Sequence, residues 1–126
     1  MDIDKQKFLF NKFYFLKPKD GDMTSLKQFG IECGDGWFGI LINLCSKLAL
    51  LRMRNFRVVQ IKEKFGTLRF YFDSAPQWKL DKIIEFINEA SEASSHICEV
   101  CGAPGRLVKT TWLLLTRCNS CIREKR

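Results

Sequence analysis

Six cysteines stand in a chain of 126 residues, and four of them form two Cys-x-x-Cys pairs, Cys98-Glu99-Val100-Cys101 and Cys118-Asn119-Ser120-Cys121. Thiolates at this spacing are the ligand pattern of a structural zinc site. Four sulfurs at about 2.3 Å close a tetrahedron and leave no position open for a substrate water. Gly102, directly after the second ligand, is free to take φ > 0 and complete a tight knuckle. Between the pairs, residues 106–109 and 111–117 read as two short strands, with Trp112, Leu113 and Leu115 as apolar cover. The competing reading is disulfides or separate buried thiols. Paired spacing in a chain that otherwise reads as intracellular favours the metal. About 30 residues bury too little apolar surface to hold themselves together. One structural Zn2+ on Cys98, Cys101, Cys118 and Cys121 is therefore expected to supply folding energy to a zinc ribbon.

The remaining reactive residues offer less. His96, the single histidine, reads as a helix-end residue, because four cysteines already complete a coordination sphere and nothing nearby builds a triad. Cys33 precedes a helix N-terminus, where a thiol can become reactive, but burial would make it inert. Glu32, Asp35 and Glu63 would have to converge to hold a catalytic metal, and their spacing does not bring them together. Gly34-x-Gly36 alone is too short to cradle phosphate. No catalytic residue is assigned, and a binding protein is expected, not an enzyme.

Charge supplies the second signal. Twenty-one Lys and Arg against 14 Asp and Glu give a net charge of +7 and a pI near 9.2. Such a balance favours an acidic partner: nucleic acid, an anionic protein surface or, less readily, a membrane face. Gln60, Lys62, Lys64, Arg69 and Tyr71 would share the polar face of a hairpin, where cations, an amide and a ring can meet phosphates and bases. Arg106, Lys109, Trp112 and Arg117, with Arg123, Lys125 and Arg126, form a second basic group on the ribbon. Some of that charge offsets the −2 of a zinc tetrathiolate. An ordinary solvated sheet face is the plain alternative.

The elements that must position these residues follow from pattern. Composition is 46% hydrophobic and 13% aromatic, enough for a core. The aromatic stretch 5–16 is helix or strand, and periodicity does not decide between them. A short helix over Ser25–Phe29 is expected to stop at Gly30. Asp35 is placed to cap a buried helix carrying Trp37, Ile40, Leu41, Leu44, Leu48 and Leu51 at helical spacing. A hairpin follows, strands 56–61 and 67–73, with Glu63-Lys64-Phe65-Gly66 in the turn. Its expected register sets Ile61 opposite Leu68 and Val59 opposite Phe70. Ser74-Ala75-Pro76-Gln77 resembles a capping box opening a second helix with Leu80, Ile83, Ile84, Ile87, Ala90 and Ser94 inward. The expected fold is α+β: a buried helix, a β-hairpin and a second helix (1–96), with a closely attached C-terminal zinc ribbon (97–126). The acidic start has no signal-peptide pattern and no stretch reaches the length of a span, so a cytoplasmic protein is expected.

Three blocks carry a further likeness. Glu32-Cys33-Gly34-Asp35-Gly36-Trp37-Phe38, Val59 to Tyr71 (VQIKEKFGTLRFY) and Cys98-Glu99-Val100-Cys101-Gly102-Ala103-Pro104-Gly105 resemble a family of small uncharacterised proteins of bacteria and their phages. The likeness spans about residues 31–121. It implies a zinc-binding C-terminus and no known reaction. It also keeps open a second class of partner, a host protein complex of defence or nucleic-acid handling that the protein would serve as adaptor or inhibitor.

Overall fold

The structure, a computed structural model, describes residues 1–124 and is α+β. Helix α1 (Ile3–Lys12) settles the aromatic stretch that periodicity left open. Asp2 caps it by accepting from the Lys5 N–H at 3.4 Å. Beyond Lys12 the chain leaves the helix, and Phe13, Phe15 and Leu16 are buried. Val58 N–H donates to the Phe15 carbonyl at 3.0 Å. Phe15 and Phe72 both lie against Phe56, with centroids 5.3 and 5.5 Å away. This stretch is core material, although Phe8 and Tyr14 stay half exposed.

Helix α2 (Ser25–Phe29) stops at Gly30, whose φ of +68° and N–H bond to Leu26 O end it as expected. The next residues enter α3 (Phe38–Leu50) through a 3-10 turn, Asp35–Trp37. Asp35 does not cap that helix, because the 3-10 turn places it two residues ahead of the N-cap position, Trp37. Its carboxylate instead accepts from Asp2 N–H at 2.7 Å and meets Lys5 at 3.7 Å, so it fastens α1. The expected inward stripe is correct over Trp37, Ile40, Leu41, Leu44, Cys45 and Leu48, all buried. Leu51 is only partly covered and packs at the edge of the core. The helix is not buried all round, however: Gly39, Asn43, Ser46, Ala49 and Leu50 form an exposed side, so α3 packs through one broad apolar face.

The hairpin β1 (Arg57–Lys64) and β2 (Thr67–Asp73) corrects the expected register. Its loop is two residues, Phe65-Gly66, with φ of +55° and +82°. Two positive φ values make the turn whose twist matches its strands. The first strand therefore runs further, to Lys64, while the second keeps its expected bounds, and Ile61 faces Phe70 while Glu63 faces Leu68. A bulge between Val58 and Gln60 then turns Val58, not Val59, into the core. Side chains alternate with period two, so a slip of two residues leaves the outer face unchanged from Gln60 onward. Gln60 opposes Tyr71, Lys62 opposes Arg69 and Lys64 opposes Thr67.

Helix α4 (Leu80–Ser94) begins after a 3-10 turn and has no side-chain cap. Ser74, at φ +60°, belongs to the bend after β2 and not to a capping box. Ile83, Ala90 and Ser94 are buried, Ile87 packs against the core and Ile84 points outward. Phe86 packs against the core instead. No described helix is long and apolar enough to cross a membrane.

Candidate functional site

The chain after α4 forms a second antiparallel hairpin, β3 (Arg106–Lys109) with β4 (Leu114–Arg117), then α5 (Asn119–Glu124). The second strand is shorter than expected. Thr110 closes the turn early: its hydroxyl donates to Leu113 O and accepts from Leu113 N–H, at 3.1 and 3.0 Å. Gly102 takes φ +83° and its N–H meets Cys98 O at 2.9 Å, closing the first knuckle. The four sulfurs of Cys98, Cys101, Cys118 and Cys121 all lie within 4.8 Å of one another. Cys101 and Cys118 are 3.6 Å apart. A tetrahedron with metal–sulfur bonds of about 2.3 Å has edges of about 3.8 Å, so the set fits a four-sulfur metal centre.

Its chemistry is that of a closed site. Cys98 and Cys121 are buried, Cys118 is half-buried and Cys101 is exposed. Burial opposes ionisation of Cys98, but backbone groups of Cys101, Cys118 and Val100 favour the thiolate and bring it down to about 6. Thiolates are the form that a metal takes. His96 turns away, with Nε2 3.1 Å from Glu92 on the last turns of α4. It is not part of the sulfur cluster.

The cluster is seated on the core by three bonds from one loop. Gly34 N–H donates to the Glu99 carboxylate at 2.9 Å, Gly36 N–H to Glu99 O at 2.7 Å, and Trp37 Nε1–H to Ile97 O at 2.8 Å. A Cβ on Gly36 would stand 2.6 Å from the Glu99 carbonyl carbon and the Gly102 nitrogen. Backbone meets backbone there, which only glycine permits. A second seat is the first hairpin's turn. Thr116 Oγ donates to Gly66 O at 2.6 Å, and Leu107 and Leu114 pack where a Gly66 side chain would lie. The C-terminal module is thus seated at two places, its knuckle on the loop before α3 and its hairpin on the first hairpin's turn.

The sequence-predicted binding residues divide. Gln60, Lys62, Lys64, Arg69 and Tyr71 do share one hairpin face. Among the described residues no ion pair uses Lys62, Lys64 or Arg69. Glu32 is bridged to Lys62 through backbone only. On the ribbon, Lys109 is exposed and Arg106 donates to Asn119 at 2.6 Å. Arg117 corrects its assignment: at 8% exposure it is buried, with Nε unpartnered. Its pair position opposite Arg106 puts it on the inner wall with Val108, Leu115 and Ile122. Trp112 and Leu113 do not cover the ribbon but project from it, Trp112 at 90% exposure. Lys125 and Arg126, and the side chain of Arg123, lie outside the described residues.

Cys33 keeps the inert reading, and Phe65 gains a standing it lacked. Cys33 is buried, and desolvation, then the Glu99 charge, push its thiol up to about 12. It is packing. Phe65, in sequence no more than a turn residue, is 62% exposed, with Lys64 Nζ over its ring. An aromatic residue before glycine in a two-residue turn is the signal that could have marked it. Comparison with protein-family models, curated proteins and solved structures finds no match to this chain.

Proposed function

We propose that this is a non-catalytic cytoplasmic protein, stapled by one structural zinc ion, that binds nucleic acid through the outer face of its first hairpin and the adjoining ribbon. Zinc is favoured by four sulfurs in tetrahedral array with no open position. The observation that carries the binding role is the row Gln60, Lys62, Lys64 opposite Tyr71 and Arg69, with no acid partner on the cations among the described residues. Cations left unpaired along a strand pair are available to phosphates, and each one engaged releases counterions. Burial of Cys33 and the outward His96 leave those two groups without a catalytic arrangement.

The test is binding of labelled DNA and RNA across a salt series. Affinity should fall steeply with salt. Lys62→Ala with Arg69→Ala should reduce the slope by about 1.4–1.8, the share of two phosphate contacts. Absent or salt-insensitive binding would reject the reading and leave the host protein complex as the partner to capture. One equivalent of zinc by elemental analysis is expected.

A further inference from the structure

Phe65 is a large aromatic residue at φ +55°, with its ring 62% exposed. Asn at this position, before Gly66, would make the preferred two-residue turn. A bulky residue held in a sparsely populated conformation, with its ring in water, points to a role outside the fold. The second hairpin also carries an exposed ring on its turn, there without a positive φ. Trp112 stands at 90% exposure on a turn closed by both bonds of the Thr110 hydroxyl. The first turn is seated on the second hairpin, because Leu107 and the Leu114 backbone lie against Gly66 and Thr116 bonds its carbonyl.

From this juxtaposition we infer that the site takes single-stranded nucleic acid, with bases stacking on Phe65 and Trp112 while the backbone follows the hairpin's cations. The inference rests on the nucleic-acid reading above and narrows it. Exposed ring faces serve unpaired bases, which stack without regard to sequence, whereas a duplex keeps its base faces closed. Lys64 and Lys62 are alternate residues of β1, spaced about 6.8 Å along the strand, with Arg69 beside Lys62. This linear row suits an extended anionic chain better than the flat plane of a lipid surface. Glu63, the carboxylate nearest the turn, alternates with Lys62 and Lys64 and so lies on the other face of β1, where it accepts from the Gly66 N–H at 2.8 Å.

The experiment uses the zinc-loaded full chain with Trp78→Phe, so that emission comes from buried Trp37 and exposed Trp112. A deoxythymidylate oligomer, a duplex of equal phosphate number and phosphatidylserine vesicles are titrated. The oligomer should quench Trp112, and Trp112→Ala and Phe65→Asn should each weaken it about tenfold. Phe65→Asn suits the turn, so its loss cannot be assigned to misfolding. Duplex affinity should be lower and unaffected by either variant. Equal binding of oligomer and duplex, both weakened by Lys62→Ala, would overturn this inference and leave the nucleic-acid reading intact. Binding of neither, or of vesicles alone, would overturn both.

Discussion

Gly36→Ala tests whether the cysteine knuckle is truly seated on the loop before α3. The new methyl would stand 2.6 Å from the Glu99 carbonyl carbon and the Gly102 nitrogen, and closer still to Cys98 O. All are backbone atoms, so no rotamer change relieves the contact. The loop must withdraw by roughly 1 Å to reach ordinary van der Waals distance. That movement breaks the 2.7 Å bond from Gly36 N–H to Glu99 O and loosens the one from Trp37 Nε1 to Ile97 O. Each buried bond left unmade costs about 1–3 kcal/mol. Reduced unfolded-state freedom returns about 0.5–1 kcal/mol. The net loss is about 2–4 kcal/mol, which at a urea m-value of about 2 kcal/mol/M lowers the midpoint by about 1–2 M. Gly39→Ala is the matched control. It lies in the first turn of α3 with nothing within 4 Å of an added Cβ, and should gain about 0.5 kcal/mol. Urea unfolding of zinc-loaded protein, followed by circular dichroism, reads both. A Gly36→Ala midpoint equal to that of wild type or of Gly39→Ala would refute the seating.

Three further outcomes are expected. Chelation should make the amides of β3 and β4 exchange rapidly while those of α3 stay protected, and hydrogen exchange with mass detection resolves the two; an unchanged ribbon after metal removal would contradict the staple. Thr116→Val should cost about 1–3 kcal/mol by leaving the buried Gly66 carbonyl without its donor, a loss that denaturant titration measures. Above about pH 9 stability should decline, because Cys33 is held up to about 12 in the fold and ionises earlier once unfolded. The unfolded chain then binds fewer protons, so unfolding becomes easier as pH rises from about 9 toward about 12. Midpoints of Cys33→Ala followed over that interval should fall less steeply than those of wild type.

Much of the architecture is legible in residue order. The apolar rhythm of α3 and the four-cysteine spacing are strong because each rests on a single short-range rule. The first hairpin's register was less accessible. Gly66 suits either a four-residue turn or the last place of a two-residue one, and only a Phe at positive φ, which propensity disfavours, separates them. The outer face survived that error because the displacement was even. Caps failed at Asp35 and Ser74 for a common reason: each helix is entered through a 3-10 turn, and local sequence does not announce it. Arg117 and Trp112 exchanged places relative to intuition. A cation became buried and an indole exposed because both sides of β4 are covered near its end, Thr116 by the first hairpin's turn and Arg117 beside Ile122, while Trp112 stands on the open turn.

The hydroxyl of Thr116 lies two residues before Cys118 and grips the carbonyl of Gly66, fifty positions earlier in the chain. Sulfur chemistry in the tail is thereby geared to the posture of a turn that no ligand cysteine touches. If the proposed metal and binding face are as inferred above, stripping or oxidising the cluster should loosen the Phe65 turn from a distance, and metal supply would then set the share of chains with that turn in place.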